Sequence, residues 1–263
     1  MDDLEDMGRR ARAAARDLAK SSAEARNRAL LEMAATLRSG ADGVLAANAL
    51  DLEEAQSAGL SAALLDRLRL NGDRLQAMAQ GVEAVVALPD PLGETFDMRR
   101  LANGLQAGKR RVPIGVLGII YEARPNVTID VAALCCKSGN AAILRGGSET
   151  RRSNAALAEL IAGACRNAGL PADSVQLVRS PERALVGELL RLDLRRVVMQ
   201  HDRRARRVQP ARDRRTDALR AAGDEHHLSA ERQLRHGSTA PSAGSRTTLR
   251  ILADARTMPA RRR

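Results

Sequence analysis

Two short polar segments, each following an apolar run, hold the residue types with which a protein handles negative charge. The first, Tyr121 to Asn126 (YEARPN), places an asparagine where a helix is expected to begin. At that position a side-chain amide and the positive end of the helix dipole can both face charge developing on an oxygen. An asparagine there also suits an N-cap, so residue type alone leaves Asn126 between oxyanion stabilisation and capping. Arg124, in the same turn, could assist an anionic substrate or be solvated. The second segment, Arg145 to Glu149 (RGGSE), sets a guanidinium beside Gly146 and Gly147 and ahead of Ser148 and Glu149. An arginine so placed can pair with a phosphate, and the glycines admit close backbone approach. A solvated strand-exit loop has the same composition.

Other chemistry finds less support. The G-x-G-x-x-G fingerprint and the Walker P-loop are both absent. Cys135 and Cys136 fall late in an apolar helix, and Cys165 is similar, so all three read as small buried hydrophobes rather than nucleophiles. Their odd number and the lack of a C-x-x-C argue against a disulfide framework or a zinc site. The His226-His227 pair lacks the H-E-x-x-H arrangement, and no metal is expected.

The elements that must position these loops follow from hydrophobic period. An opening helix carries Leu4, Met7, Ala11, Ala14, Ala15 and Leu18 at three- and four-residue steps. Ser21 with Glu24 predicts a capping box for a second helix reaching Gly40. A third spans Ala41 to about Ala58, a short one starts at Ser61, and Asn71 caps a longer one from Gly72 to Leu88, stopped by Pro89 and Pro91. The pair Asn103-Gly104 then predicts a β-hairpin ending near Arg111, long enough to form an arm. Val112 to Ile120 (VPIGVLGII) predicts a strand covered on both faces, with Gly115 and Gly118 as close-packing positions. A helix from Val127 to Lys137, closed by Gly139, leads to a strand at Ala141 to Leu144. A helix capped by Ser153 or Asn154 and running through Cys165 follows, then a strand at Val175 to Val178. Ser180-Pro181 opens one more helix, and LRRVVM at its end could be a further strand. Strand and helix alternating in this way predict a parallel α/β sheet of Rossmann type behind N-terminal helices.

Composition bounds the rest. The 263 residues are 44% hydrophobic, yet Phe96 and Tyr121 are the only aromatics, which suits an aliphatic core of helices and parallel sheet. An acidic, non-apolar N-terminus fits neither a secretory signal nor a transit peptide, and no stretch approaches a membrane span, so a reducing cytoplasm is expected. The net charge of +11 is unevenly placed. Residues 201–263 hold 16 arginines, no lysine and 7 acidic residues, hence +9 of the total, together with all four histidines. So sharp a break predicts a first unit of residues 1–200 and an Arg-rich segment, 201–263, that is poorly ordered.

The block VPIGVLGIIYEARPNVTIDVAALCCKSGNAAILRGGSE resembles the core signature of the gamma-glutamyl phosphate reductases, the glutamate-5-semialdehyde dehydrogenases of proline biosynthesis, within the aldehyde dehydrogenase superfamily. The resemblance extends through GLSAALLDRLRL, ALPDPLGE and NGLQAGKRRVPIGV upstream and SPERALVGELLRLD downstream, to about Leu192. It implies an aldehyde-dehydrogenase-like fold and NADPH-dependent reduction of L-glutamyl 5-phosphate to glutamate 5-semialdehyde, with a cysteine thiolate attacking the acyl carbon. Asn126, at the family's PN position, would donate to the oxyanion. Arg145, Gly146, Gly147, Ser148 and Glu149 match the segment that holds the adenosine ribose in related dehydrogenases, where an arginine could pair with the 2′-phosphate of NADP. Self-association through the arm is also implied.

Beyond Leu192 the family pattern is lost. The Arg-Gly-Gly loop expected near the cofactor phosphates is missing, and so is the T-Q-R-x-x-V-C-N-like motif with the nucleophile, since no cysteine follows Cys165. The tail has the composition of GC-rich coding sequence read in a shifted frame. Three readings follow: the family enzyme, an inactive cofactor-domain fragment lacking its nucleophilic cysteine, or a non-specific nucleic-acid binder through the arginines. The third lacks stacking aromatics and any recognisable motif.

Overall fold

The computed structural model describes residues 3–192, Leu194 and the backbone of 196–199. All of them lie in the first of the two units into which the chain divides, Met1–Ala205. The expected disorder of residues 201–263 lies outside the described residues.

Five helices come first: α1 (Leu4–Lys20), α2 (Ala23–Ser39), α3 (Ala41–Ser57), α4 (Ala62–Leu68) and α5 (Gly72–Ala87). Asp3 caps α1, its carboxylate accepting from the N–H groups of Glu5 and Asp6, and Asn71 caps α5 as its side chain predicts. The cap of α2 is Ser22, which accepts from the Ala25 N–H. Ser21 instead donates its hydroxyl to Leu18 O at the end of α1. The expected Ser21–Glu24 box therefore does not form, because α1 runs to within two residues of α2 and claims the first serine.

A hairpin of β1 (Thr95–Arg100) and β2 (Gln106–Arg110) follows, antiparallel, with a register shift between Phe96 and Arg99. The sheet proper contains β3 (Val116–Ile120), β4 (Ala141–Arg145), β5 (Val175–Leu177) and β6 (Arg196–Met199), all parallel in the order β5-β4-β3-β6. The connecting helices are α6 (Asn126–Lys137), α7 (Arg151–Asn167) and α8 (Ala184–Arg191). Helices α6 and α7 pack with α2, α3 and α5, whereas α8 packs with α1 against β3, so helices cover both faces of the sheet. Leu117, Ile119, Ile143 and Leu144 form its buried centre, and LRRVVM supplies β6 as the apolar pattern suggests.

Strand β3 is shorter than its apolar run. Val112 is exposed and Gly115 sits at φ +117°, so the chain turns before pairing begins at Val116. The Gly115 N–H donates to Asn140 Oδ1 at 2.8 Å rather than to a neighbouring strand. Gly115 thus stands at the entry of β3 and not in its interior, its carbonyl accepting from the Ala141 N–H at 3.0 Å. Helix α6 ends as predicted: Gly139 adopts φ +67°, its N–H donates to Cys136 O, and the Asn140 N–H donates to Cys135 O. That pair of bonds is the Schellman arrangement a glycine at this position permits.

Two helix starts differ from expectation. Helix α7 begins at Arg151 after a single 3-10 turn (Ser148–Thr150), so Ser153 and Asn154 lie inside it and cap nothing. Helix α8 begins at Ala184, and Ser180-Pro181 belong to the loop before it. At α7 a carboxylate from another helix, described next, takes the place of the local cap, whereas the Ser180 hydroxyl accepts from the Glu182 N–H within the loop before α8.

Candidate functional site

The parallel pairing of β3 with β4 through α6 brings the two polar segments to the same edge of the sheet, at the carboxyl ends of adjacent strands. The Tyr121 N–H donates to Arg145 O at 3.0 Å, directly joining the end of one strand exit to the start of the other. A cleft opens there between the ends of β4 and β5. Its lining comes from Arg145 to Ser148, from Arg151 and Asn154 of α7, and from Leu177 to Pro181. Three arginines and no carboxylate are among its lining residues, which suits an anionic ligand.

Arg145, the residue expected to reach a phosphate, is turned inward. Its guanidinium donates to Gly146 O and, at 3.0 Å, to Pro181 O, while its Nε is buried with no partner. Burial pulls its pKa below the ordinary arginine value, with the nearby Glu149 opposing that shift. The side chain thus stitches the β4 exit loop to the segment before α8. Arg151, in the first turn of α7, is exposed, and Arg179 is also exposed and paired with Glu159 at 3.0 Å. Ser148 and Glu149 are exposed, but only Ser148 lines the cleft.

The two glycines answer to the protein's own packing. A Cβ on Gly146 would overlap the Asn154 amide, and one on Gly147 would come within 3.3 Å of Ala123 N in the β3 exit turn. Close approach is required at both positions, and the atoms approaching are protein atoms.

Asn126 is the first residue of α6, following Pro125. It does not cap the helix: its Nδ2 donates to Asp130 Oδ2 at 3.3 Å, one turn along. With Asp130 ionised, the amide nitrogen is the donor in that contact. Burial raises the Asp130 pKa, and the hydrogen bond from Asn126 partly offsets the rise. Arg124 is half-buried within the turn, its carbonyl accepting from the Val127 N–H.

The N-terminus of α7, facing the cleft, is occupied by a carboxylate from α3. Asp51 is buried and accepts from the N–H groups of Arg152 at 3.2 Å and Ser153 at 2.8 Å, and from the Ser153 hydroxyl at 2.7 Å. Asn48 joins the same cluster, donating to Ser153 Oγ and to Leu68 O. The positive end of this helix is therefore already compensated, and charge recognition in the cleft falls to arginine side chains. Nothing local in the sequence signals Asp51, which acts 101 residues from its partner. Arg151 left no signal either, because a helix capped at Ser153 or Asn154 would place it ahead of the first turn, whereas α7 begins at Arg151 itself.

All three cysteines are buried and free. Burial pushes the Cys135 and Cys165 thiols up to about 12, and Cys136 is raised as well by burial and by its two neighbouring thiols. Among the described residues no cluster suits a metal ion, and no helix is long and apolar enough to cross a membrane.

Comparison with known proteins agrees with this architecture. The chain is 57% identical over 195 residues to the gamma-glutamyl phosphate reductase of Roseiflexus castenholzii, and 57% identical over 190 residues to that of Deinococcus radiodurans. These alignments cover 73% and 72% of this chain but 46% and 44% of the relatives, so the chain spans about half the length of the curated relatives it matches. The crystal structure of gamma-glutamyl phosphate reductase from Thermotoga maritima superposes with a TM-score of 0.75 at 37% identity, over 77% of this chain and 49% of that one. The aldehyde dehydrogenase family model matches residues 1–199, and the chain belongs to that family.

Proposed function

We propose that this chain forms the dinucleotide-binding half of an NADPH-dependent reductase that converts L-glutamyl 5-phosphate to L-glutamate 5-semialdehyde and phosphate. The observation that carries the reading is the carboxylate-free cleft at the ends of β4 and β5, in a chain 57% identical to proteins named gamma-glutamyl phosphate reductase. The bound nicotinamide supplies the hydride. The Arg145 to Ser148 backbone forms the wall for the adenosine ribose, with Glu149 beside it. Arg151 and Arg179 supply the charge that favours a 2′-phosphate, while Arg145 holds the loop in shape. The Asn126 amide, oriented by Asp130, donates toward the substrate oxygen as negative charge builds there. Arg124 sits where it can attract an anionic substrate. The unit bearing these roles ends near residue 200, works in the reducing cytoplasm where free thiols persist, and associates with copies of itself through the exposed hairpin.

One observation favours a second reading for these 263 residues alone, that of a cofactor domain without turnover. A thioester needs a thiolate, and burial keeps all three of the chain's thiols protonated.

Calorimetric titration with NADP and with NAD tests the first reading. NADP should bind more tightly, and Arg151→Ala should weaken NADP about tenfold while leaving NAD nearly unchanged. Failure of both dinucleotides to bind overturns it. Reduction of NADP by glutamate semialdehyde and phosphate, catalysed by the 263-residue chain, overturns the second.

A further inference from the structure

The interior between the two loops contains a hydrogen-bonded chain that the proposed chemistry does not use. The Tyr121 hydroxyl lies 2.7 Å from Thr128 Oγ1. Thr128 Oγ1 donates to Asn154 Oδ1 at 3.0 Å, Asn154 Nδ2 donates to Thr150 Oγ1 at 2.8 Å, and Thr150 Oγ1 donates to Gly147 O at 3.2 Å. Tyr121, Thr128, Thr150 and Asn154 are all buried. Each hydroxyl has one proton, so the sense of the whole chain is determined. Thr128 gives its proton to Asn154 and must therefore accept from Tyr121, and Thr150 accepts from Asn154 and gives to Gly147. Burial keeps the Tyr121 phenol protonated, as the first donor must be.

We infer that Asn154 is a positioning residue, joining the first turn of α6, which carries Asn126, to the Gly147–Thr150 loop beside the cleft, so that the two loops hold their geometry as one unit. Beside the backbone bond from the Tyr121 N–H to Arg145 O, Asn154 joins the two through side chains, its carbonyl accepting from Thr128 of α6 and its amide donating to Thr150 of the loop. Gly146 makes room for it, since the Asn154 amide fills the space a Cβ would take, with the Tyr121 hydroxyl 3.2 Å from that Cβ position. A buried chain in which every member has one orientation transmits the loss of any member to both ends. Leucine at 154 would preserve volume and take one of the two partners from each of the Thr128 and Thr150 hydroxyls, and aspartate could not donate to Thr150 in its charged form.

The role in dinucleotide binding rests on the function proposed above, so the test has an arm that needs no ligand. Amide hydrogen exchange is measured on Thr128→Val, which removes one hydroxyl from α6 and touches neither Thr150 nor Gly147. The Thr150 N–H, bonded to Gly147 O, should exchange at least about fivefold faster. Thr150→Val should do the same to the Val127 and Thr128 amides. Helix α2 amides should be unchanged in both variants, and Thr128→Ser, which keeps the hydroxyl, should restore the Thr150 amide. Effects confined to the substituted segment, or spread equally over α2, overturn the inference. In the ligand arm, Thr128→Val should weaken NADP at least about threefold although Thr128 does not line the cleft. Equal affinity in the two proteins overturns the positioning role, whereas absence of binding in the unsubstituted chain overturns the proposed function and leaves the exchange result decisive.

Discussion

Cys135, Cys136 and Cys165 are buried, and that burial makes alkaline pH costly to the fold. Their thiols are pushed up to about 12 or beyond, whereas a thiol in the unfolded chain ionises near about 8.5. Between those values the native state binds more protons than the unfolded state, so stability falls as pH rises. The contribution is complete below about pH 8.5 and is lost progressively toward 12, by up to about 1.4 kcal/mol per thiol per pH unit. Urea unfolding at pH 8 and 10 should show this loss, with a shallower pH slope after Cys135→Ala. An unchanged slope would mean that Cys135 does not titrate as its burial requires. Asp51 is a second buried residue with a defined cost. Asp51→Ala strands two N–H groups and a hydroxyl at the start of α7 and should remove about 2 to 3 kcal/mol of unfolding free energy. A loss under about 0.5 kcal/mol would show that water replaces the carboxylate.

Helix ends and the hairpin separate residues that packing requires from those it tolerates. Gly139 and Gly59 both close helices at positive φ, 67° and 72°. A Cβ at Gly139 would meet Leu92 Cδ1 at 2.8 Å and Pro113 Cγ at 3.2 Å, while one at Gly59 would meet open space. Gly59→Ala should therefore cost about 1 kcal/mol from backbone strain alone, and Gly139→Ala about 1 to 2 kcal/mol more. Equal melting temperatures for the two variants would contradict this. In the hairpin every β1 residue is exposed, and Glu94 and Arg111 at its base are already joined by the Arg111 N–H to Glu94 O bond and by a 2.5 Å ion pair. Replacing residues 95–110 with a short glycine turn should change unfolding free energy by less than about 1 kcal/mol, as measured in urea. A larger loss would show that the arm supports the sheet.

At the scale of the molecule, the order β5-β4-β3-β6 assembles the cleft from segments distant in sequence. The family match ends at residue 199, just before the arginine-rich segment. Deleting residues 201–263 should therefore leave NADP affinity within about twofold, as judged by calorimetry. The same deletion should abolish low-salt retention on heparin, because it removes +9 of the +11 net charge. Retention that survives the deletion would place the polyanion-binding charge on residues 1–200.

Residue pattern alone was sufficient for the helices of the N-terminal layer, the parallel α/β grammar, the Gly139 closure and the location of both polar loops, since each depends on period, turn chemistry or capping within a few residues. The resemblance of the 112–149 block added the family. Tertiary structure decided what those loops contain. Arg145 turns inward because Gly146 O and Pro181 O lie within its reach, Asn126 bonds to Asp130 instead of capping, and Asp51 reaches α7 from another helix. Each of these depends on which atoms a fold places side by side. Separations such as the 102 residues between Asp51 and Ser153 leave no trace in local sequence.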